Sequence, residues 1–256
     1  LFRSALVGRA ESDERLLDYL PRVPETSLVL FHCVQKPDAR KKLYGLIRKV
    51  GAIVDFPLLK GAELTSFVTA AFRQRGKECS ERVAEQLIFI SGADTSRLLS
   101  EIGKIASLHP EEKAVSPQDV QSLAVPTVES RVFQMVDAVV SGQEARAFSL
   151  LRAQLLAGEN RVGILSMLLR QFRLMQHIKI MKYEKKRESE ILSALGMSSY
   201  IGGQYLRHAA AWSNRQVKQA VQLCLDTDYR IKSGQLNQEG ALEAVMLQLL
   251  LLRKKD

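Results

Sequence analysis

The hydrophobic positions of the first 56 residues follow two different periods. Apolar positions at helical spacing, among them Leu16, Leu17 and Leu20, stop before Pro21. Continuous apolar runs cover residues 28–34 and 52–56, and a helical pattern that begins after Asp38 separates them. Continuous apolar strands joined through a helix are typical of a parallel sheet that is covered on both faces. We expect this sheet to continue outside these residues, because two strands alone do not make a stable domain.

From Leu58 onward the pattern is helical, and only the apolar run at 87–90 is ambiguous between helix and strand. Ser116, Pro117 and Asp119 have the residue types of a capped helix start, and a bundle of three to four short helices is predicted between Leu58 and Val125. Beyond Pro126 the periodicity predicts about five longer helices. The expected fold class is therefore mainly α, with the remnant of an α/β core at the start.

Composition limits the class of protein without defining it. No apolar run of the 256 residues reaches the roughly 18–20 needed for a transmembrane helix, so no membrane partner is expected. The chain begins with Leu1 and shows no signal peptide, which predicts a cytoplasmic protein cut from a longer one. The three cysteines lack CxxC spacing and are expected to be free thiols.

The positive charge is unevenly distributed. The net charge is +9, and residues 127–256 contribute 19 Lys and Arg against 12 Asp and Glu. Such an asymmetry indicates either a polyanionic partner or plain solubility.

One basic run follows the apolar stripe that ends at Ile178. Two of its lysines continue that stripe, so the helix end is expected to project into solvent. A solvated helix terminus explains such a run, and a contact with DNA phosphates or an acidic neighbouring subunit is the functional alternative. The members of this candidate site are Lys179, Lys182, Lys185, Lys186 and Arg187.

The motifs of the common catalytic chemistries are not found in this sequence. No GxxxxGK[ST] loop for nucleotide phosphates occurs. Adjacent strand residues point to opposite faces, so His32 and Cys33 cannot act as base and nucleophile. His109, His177 and His208 lack metal-ligand spacing. No catalytic residue, cofactor or metal site is predicted.

Four further features have a structural and a functional interpretation. The pairs Ser96-Arg97 and Ser130-Arg131 could supply an arginine finger, but surface charge is the simpler explanation. Asp228 is expected to pair with Lys232 one turn later, with a subunit contact as the alternative. Tyr205 and Trp212, which together are the fourth feature, are expected in the core rather than in a base-stacking platform.

Several segments, taken in order, resemble the delta subunit of the bacterial DNA polymerase III clamp loader. The segments are LLDYLPRVPETSLVL at 16–30, DARKKL at 38–43, GADTSRLLSEIGKIA at 92–106, FQMVDA at 133–138 and DTDYRIKSG at 226–234. The last segment is the most specific, and none is diagnostic alone.

The resemblance implies three domains and a set of partners. Residues 1–57 would be the end of an AAA+-like α/β core, 58–126 a helical lid, and 127–256 a helical collar used for oligomerisation. The implied partners are the sliding clamp, the ATPase clamp-loader subunits, the delta-prime subunit, and DNA in the assembled complex. Delta subunits are similar to AAA+ ATPases but do not hydrolyse ATP, so a non-catalytic subunit of a nucleotidyltransferase complex is implied. In the family an apolar wedge of the core grips the clamp, and Leu1 and Phe2 are expected to lie past it.

Two other classes of protein remain as alternatives at the level of the sequence. One is a stand-alone basic helical DNA-binding protein. The other is an ATP-hydrolysing AAA+ clamp-loader relative, for which a Walker lysine in a longer sequence would be decisive.

Overall fold

The structure, a computed structural model, describes residues 14–108 and 110–254, together with the backbone of residues 2–3. Leu1, His109 and the side chain of Phe2, which the sequence analysis singled out, lie outside the described part. Within the described part the fold is mainly α, as predicted, and it divides into two compact units at residues 1–58 and 59–256.

The first unit contains two short strands and two helices. The strands pair in parallel, with Phe2 opposite Phe31 and Arg3 opposite His32. Leu20 and Leu43 are its buried centre, packed against partly buried neighbours such as Leu17, Val29 and Ile47. The elements are β1 (Phe2–Arg3), α1 (Glu14–Tyr19), a 3-10 turn (Leu20–Arg22), β2 (Phe31–His32) and α2 (Lys42–Val50).

The predicted strands of this unit are largely wrong. Of the run 28–34 only Phe31 and His32 form a strand, and residues 52–56 form none. Phe56 and Val54 are mostly exposed, as are Leu28 and Val34. A strand needs neighbouring backbone groups for its hydrogen bonds. An apolar sequence alone does not supply them, and among the described residues β1 is the only partner that β2 has.

The second unit begins with a bundle of four helices. Leu64, Phe72, Leu87 and Ile102 are central to its core, and the ambiguous run 87–90 is helical. A parallel bridge between Glu78 and Ala114 closes the loop before the last helix. The helices are α3 (Gly61–Arg73), α4 (Glu81–Ser91), α5 (Thr95–Leu108) and α6 (Pro117–Leu123).

A larger bundle of seven helices completes the second unit. Its core is a continuous cluster in which Phe133, Phe172 and Trp212 are the largest fully buried side chains. The predicted core positions of Tyr205 and Trp212 are confirmed, since both are buried. The helices are α7 (Val128–Val140), α8 (Glu144–Leu156), α9 (Arg161–Tyr183), α10 (Glu188–Ala194), α11 (Ser199–Ala211), α12 (Asn214–Lys232) and α13 (Ala241–Lys254).

The two bundles of the second unit meet where α4 faces α11. Phe89 packs edge-on against Phe133, with 5.0 Å between ring centroids, and also contacts Tyr200. Glu85 accepts hydrogen bonds of 2.9 Å from the Ser199 hydroxyl and from the backbone N–H of Tyr200. A carboxylate from one bundle therefore caps the first turn of a helix in the other. None of the described helices is long and apolar enough to cross a membrane.

Candidate interaction site

The end of α9 differs from the ends of the neighbouring helices. The backbone N–H of Lys186 donates to the Met181 carbonyl at 3.1 Å, and that of Lys185 donates to Lys182 at 3.0 Å, which is a Schellman motif. Its left-handed position is Lys185, with φ of 59°, and this is the one described non-glycine residue with positive φ. The helices α7, α8, α10 and α12 end with a glycine at the corresponding position, namely Gly142, Gly158, Gly196 and Gly234. Lysine there costs roughly 1–2 kcal/mol of backbone strain that glycine avoids.

Lys179 is not the solvated contact residue that the sequence predicted. Its ammonium group donates to the carbonyl of Ala209 at 2.9 Å and to that of Trp212 at 2.6 Å, at the end of α11. Burial lowers its pKa, and the nearby charge of Lys182 lowers the pKa further. Lys179 therefore caps a helix C-terminus, where a cation is favoured by the helix dipole.

The other four cations of the basic run are exposed, as predicted, but three of them pair with carboxylates of residues 184–190. Lys182 pairs with Glu188 at 3.1 Å, Lys186 with Glu184 at 3.0 Å and Arg187 with Glu190 at 3.0 Å. The hydrogen bonds from Arg187 lower the pKa of Glu190. Lys185 makes no ion pair with any described residue. Exposed pairs of this kind contribute only about 0–1 kcal/mol, so a polyanion can compete for these cations.

The helices around this site carry further exposed cations that the sequence analysis missed. These residues are Arg173 on α9, Arg207 on α11, and Arg215 and Lys218 on α12. Within the part of the chain that the structure describes, none of the four pairs with a carboxylate. The distribution of acidic residues would have revealed them, because residues 161–183 and 191–225 contain no Asp or Glu.

Two of the remaining candidate features have a structural partner. Asp228 pairs with Lys232 at 2.7 Å, as predicted. The Arg97 guanidinium donates to the Val125 carbonyl at 2.9 Å, which accounts for one of the two Ser-Arg pairs. Burial raises the pKa of the Cys224 thiol to about 12, which makes it a poor nucleophile. Among the described residues no cluster of His, Cys, Asp or Glu could hold a metal ion.

A cleft of about 550 Å³ lies between the two bundles of the second unit. Its walls come from α3, α4 and the start of α11, and include Thr65, Glu85, Phe89 and Met197. Glu85 is already bound to the first turn of α11, and the Thr65 hydroxyl donates to the Gly61 carbonyl of its own helix, so neither group is free for a ligand.

Comparison with known proteins identifies the class of protein. The sequence model of a family described as DNA polymerase III delta subunit, C-terminal domain, matches residues 129–249. The solved structure of the Bacillus subtilis DNA clamp loader delta protein (YqeN) covers 96% of this chain, and this chain covers 74% of it, with a TM-score of 0.59 and 21% identity. The fold is thus that of a clamp-loader delta protein.

A curated relative agrees with the family and the structure. DNA polymerase III subunit delta of Bacillus subtilis (strain 168) is 23% identical over 233 residues, which are 91% of this chain and 67% of the relative. The resemblance to the DNA polymerase III delta subunit family that was predicted from its segments is confirmed, and the match to the family's C-terminal domain model lies within the seven-helix bundle.

Proposed function

We propose that this chain is the subunit of a DNA polymerase III clamp loader that binds the sliding clamp and opens it for loading onto primed DNA. The observation that carries the proposal is the family match over residues 129–249, which spans most of the seven-helix bundle. The resemblance to delta subunits, which do not hydrolyse ATP, supports a subunit that acts in the cytoplasm without hydrolysing ATP.

The three hydrophobic clusters support a subunit of three domains with different roles. The cluster around Leu20 and Leu43 would belong to the AAA+-like core at 1–57, and the four-helix cluster to the lid at 58–126. The seven-helix cluster would be the collar at 127–256. Its partners would be the ATPase subunits and the delta-prime subunit, with the clamp held by the core.

The outer face of α13 supports the proposed role of the collar in assembly. Leu247 and Leu251 lie one turn apart and are 52% and 47% exposed, while the opposite face of the same helix is buried in the bundle. A helix that is apolar on both faces is expected to be covered on both.

Reconstitution tests the proposed assembly directly. The chain would be mixed with the ATPase and delta-prime subunits of the same organism and run on a size-exclusion column. We expect it to co-elute with them, and Leu247→Glu with Leu251→Glu should shift it to the monomer position, because two charges would be buried at the contact. The control, Gln118→Glu with Gln121→Glu, adds the same charge at exposed polar positions of α6, outside the collar, and should leave assembly intact.

Clamp binding requires a separate measurement. The sliding clamp would be immobilised, and the assembled complex would be passed over it with and without this chain. Retention of the complex only when this chain is present supports the proposal. A chain that elutes alone from every mixture of subunits contradicts it.

A further inference from the structure

Almost all of the net charge of the protein lies in one quarter of the chain. Residues 161–225, which run from the start of α9 into α12, contain eleven Lys and Arg but three Asp and Glu, a net charge of +8 out of +9. The three carboxylates are confined to residues 184–190, beside α9 and in the first turn of α10. The helix α9 itself has none, and neither does α12 before Asp226.

The helices α9 and α12 lie side by side and run antiparallel. Near the end of α9, Lys179 binds the carbonyl of Trp212, which precedes α12. At the start of α9, Arg161 pairs with Glu243 in the first turn of α13, which follows the end of α12. Because helices rise equally per residue, Arg215 lies beside the last turns of α9 and Lys218 lies near the level of Arg173. All three side chains are exposed.

The exposed face of α12 at this end is polar throughout. Asn214, Gln219 and Gln222 surround the two cations, and no apolar side chain is exposed among them. Protein interfaces usually centre on apolar or aromatic side chains. On α12 no such centre is present, although the exposed Ile180 and Tyr183 lie in the last turn of α9. Amide and guanidinium side chains are typical of contacts with phosphate oxygens.

Lys185 supplies an independent observation at the same end of the bundle. It occupies a left-handed position that glycine fills in four neighbouring helix ends, and no described carboxylate pairs with it. A strained residue with no structural benefit points to a functional role.

From these observations we infer that the exposed face of α9 and α12, with Arg173, Lys185, Arg215 and Lys218, binds the phosphate backbone of duplex DNA. This inference adds a DNA contact to the proposed function. It rests on that function only because a clamp loader brings its subunits close to DNA. The contact is independent of base sequence, because its cations are spaced along helices rather than arranged around one base edge.

A charge-reversal variant tests the assigned face. Arg173→Glu, Arg215→Glu and Lys218→Glu would be combined, and binding of a fluorescent 30-base-pair duplex to the whole chain would be measured by anisotropy at several salt concentrations. We expect affinity to fall roughly tenfold or more, and the slope of log affinity against log salt to decrease by about 0.9 for each lost phosphate contact.

A matched variant controls for net charge. Arg73→Glu, Arg82→Glu and Arg152→Glu remove the same charge at exposed positions on α3, α4 and α8 that have no ion pair in the described structure. This control should keep most of the affinity. Equal losses in the two variants, or no measurable binding by the unaltered chain, would overturn the inference.

Lys185→Gly separates binding from stability. The variant should be more stable, by urea denaturation, because glycine relieves the positive φ. It should nevertheless bind the duplex more weakly, with a salt slope lower by about 0.9. Unchanged affinity would remove Lys185 from the site.

Two further arms distinguish this inference from its alternatives. Polyglutamate of equal charge should compete far less well than unlabelled duplex, and equal competition would assign the face to an acidic protein instead. The triple variant should still co-elute with the ATPase and delta-prime subunits. If the triple variant loses DNA binding but still assembles, the result supports the DNA contact of this face. If the chain does not assemble, the result contradicts the proposed function instead.

Discussion

At the scale of single residues, Lys179 shows how a side chain can leave the surface that its sequence neighbours share. Five cations within nine residues predict one exposed cluster, but Lys179 turns back onto the carbonyls of Ala209 and Trp212. Those carbonyls come from residues thirty and more positions away. A local sequence pattern carries no information about residues so far away in the chain, so the sequence predicted the charge of Lys179 but not its hydrogen-bond partners.

Replacing Lys179 should cost stability where replacing its neighbour does not. Lys179→Met keeps the length of the side chain and leaves the end of α11 without its ammonium donor. We expect the free energy of unfolding to fall by about 1.5–3 kcal/mol, the range for hydrogen bonds to a charged group. Lys182→Met, which removes an exposed pair with Glu188, should cost less than about 1 kcal/mol. Urea denaturation measures both, and equal losses would contradict the capping role.

At the scale of elements, helix starts and stops were the most predictable features. The capped start predicted at Ser116 is present as a capping box with Asp119. The same kind of local signal begins α12 at Ser213 with Gln216, and Gly234 follows the end of α12 with φ of 74°. These signals act within four residues, so the sequence contains all of their parts. Strand 52–56 was predicted wrongly because its formation depends on partners elsewhere in the chain.

The packing of α10 on α11 depends on one glycine. A Cβ added at Gly202 would lie 2.4 Å from a methyl group of Leu192, whereas one added at Gly203 would meet no heavy atom within 4 Å. Gly203→Ala should therefore stabilise the protein by about 0.5–1 kcal/mol through helix propensity. Gly202→Ala should destabilise it by about 1 kcal/mol or more, because Leu192 must leave its place against the core.

A double-mutant cycle identifies the cause. In the background Leu192→Ala the clashing methyl groups are gone. There the substitution Gly202→Ala should stabilise the protein about as much as Gly203→Ala does. Thermal and urea unfolding of the four variants measure this coupling. Additive effects would show that Gly202 is needed for another reason.

At the scale of the whole molecule, the two units differ greatly in the core that they bury. Residues 59–256 contain two large hydrophobic clusters, while the first unit buries only Leu20 and Leu43 among its described apolar side chains. Small units bury too little apolar surface to offset the entropy of the chain. The family resemblance predicted this mainly α organisation, but it could not indicate how little of the apolar sequence of residues 28–56 would be covered.

The fragment of residues 59–256 should consequently fold by itself. We expect a helical circular dichroism spectrum and one cooperative thermal transition, because its cores include no side chain from the first unit. The fragment of residues 1–58 should show no cooperative transition. A non-cooperative melt of the larger fragment would mean that the first unit is required for its stability.

The carboxylate of Glu85 gives the junction between the two bundles a built-in reporter. First-turn amides of a helix lack partners within the helix and ordinarily exchange their hydrogens rapidly with water. The Tyr200 amide is held by a side chain of α4, so its exchange requires that contact to open. Slow deuterium uptake at Tyr200 would therefore measure how often the two bundles separate, independently of the unfolding of either one.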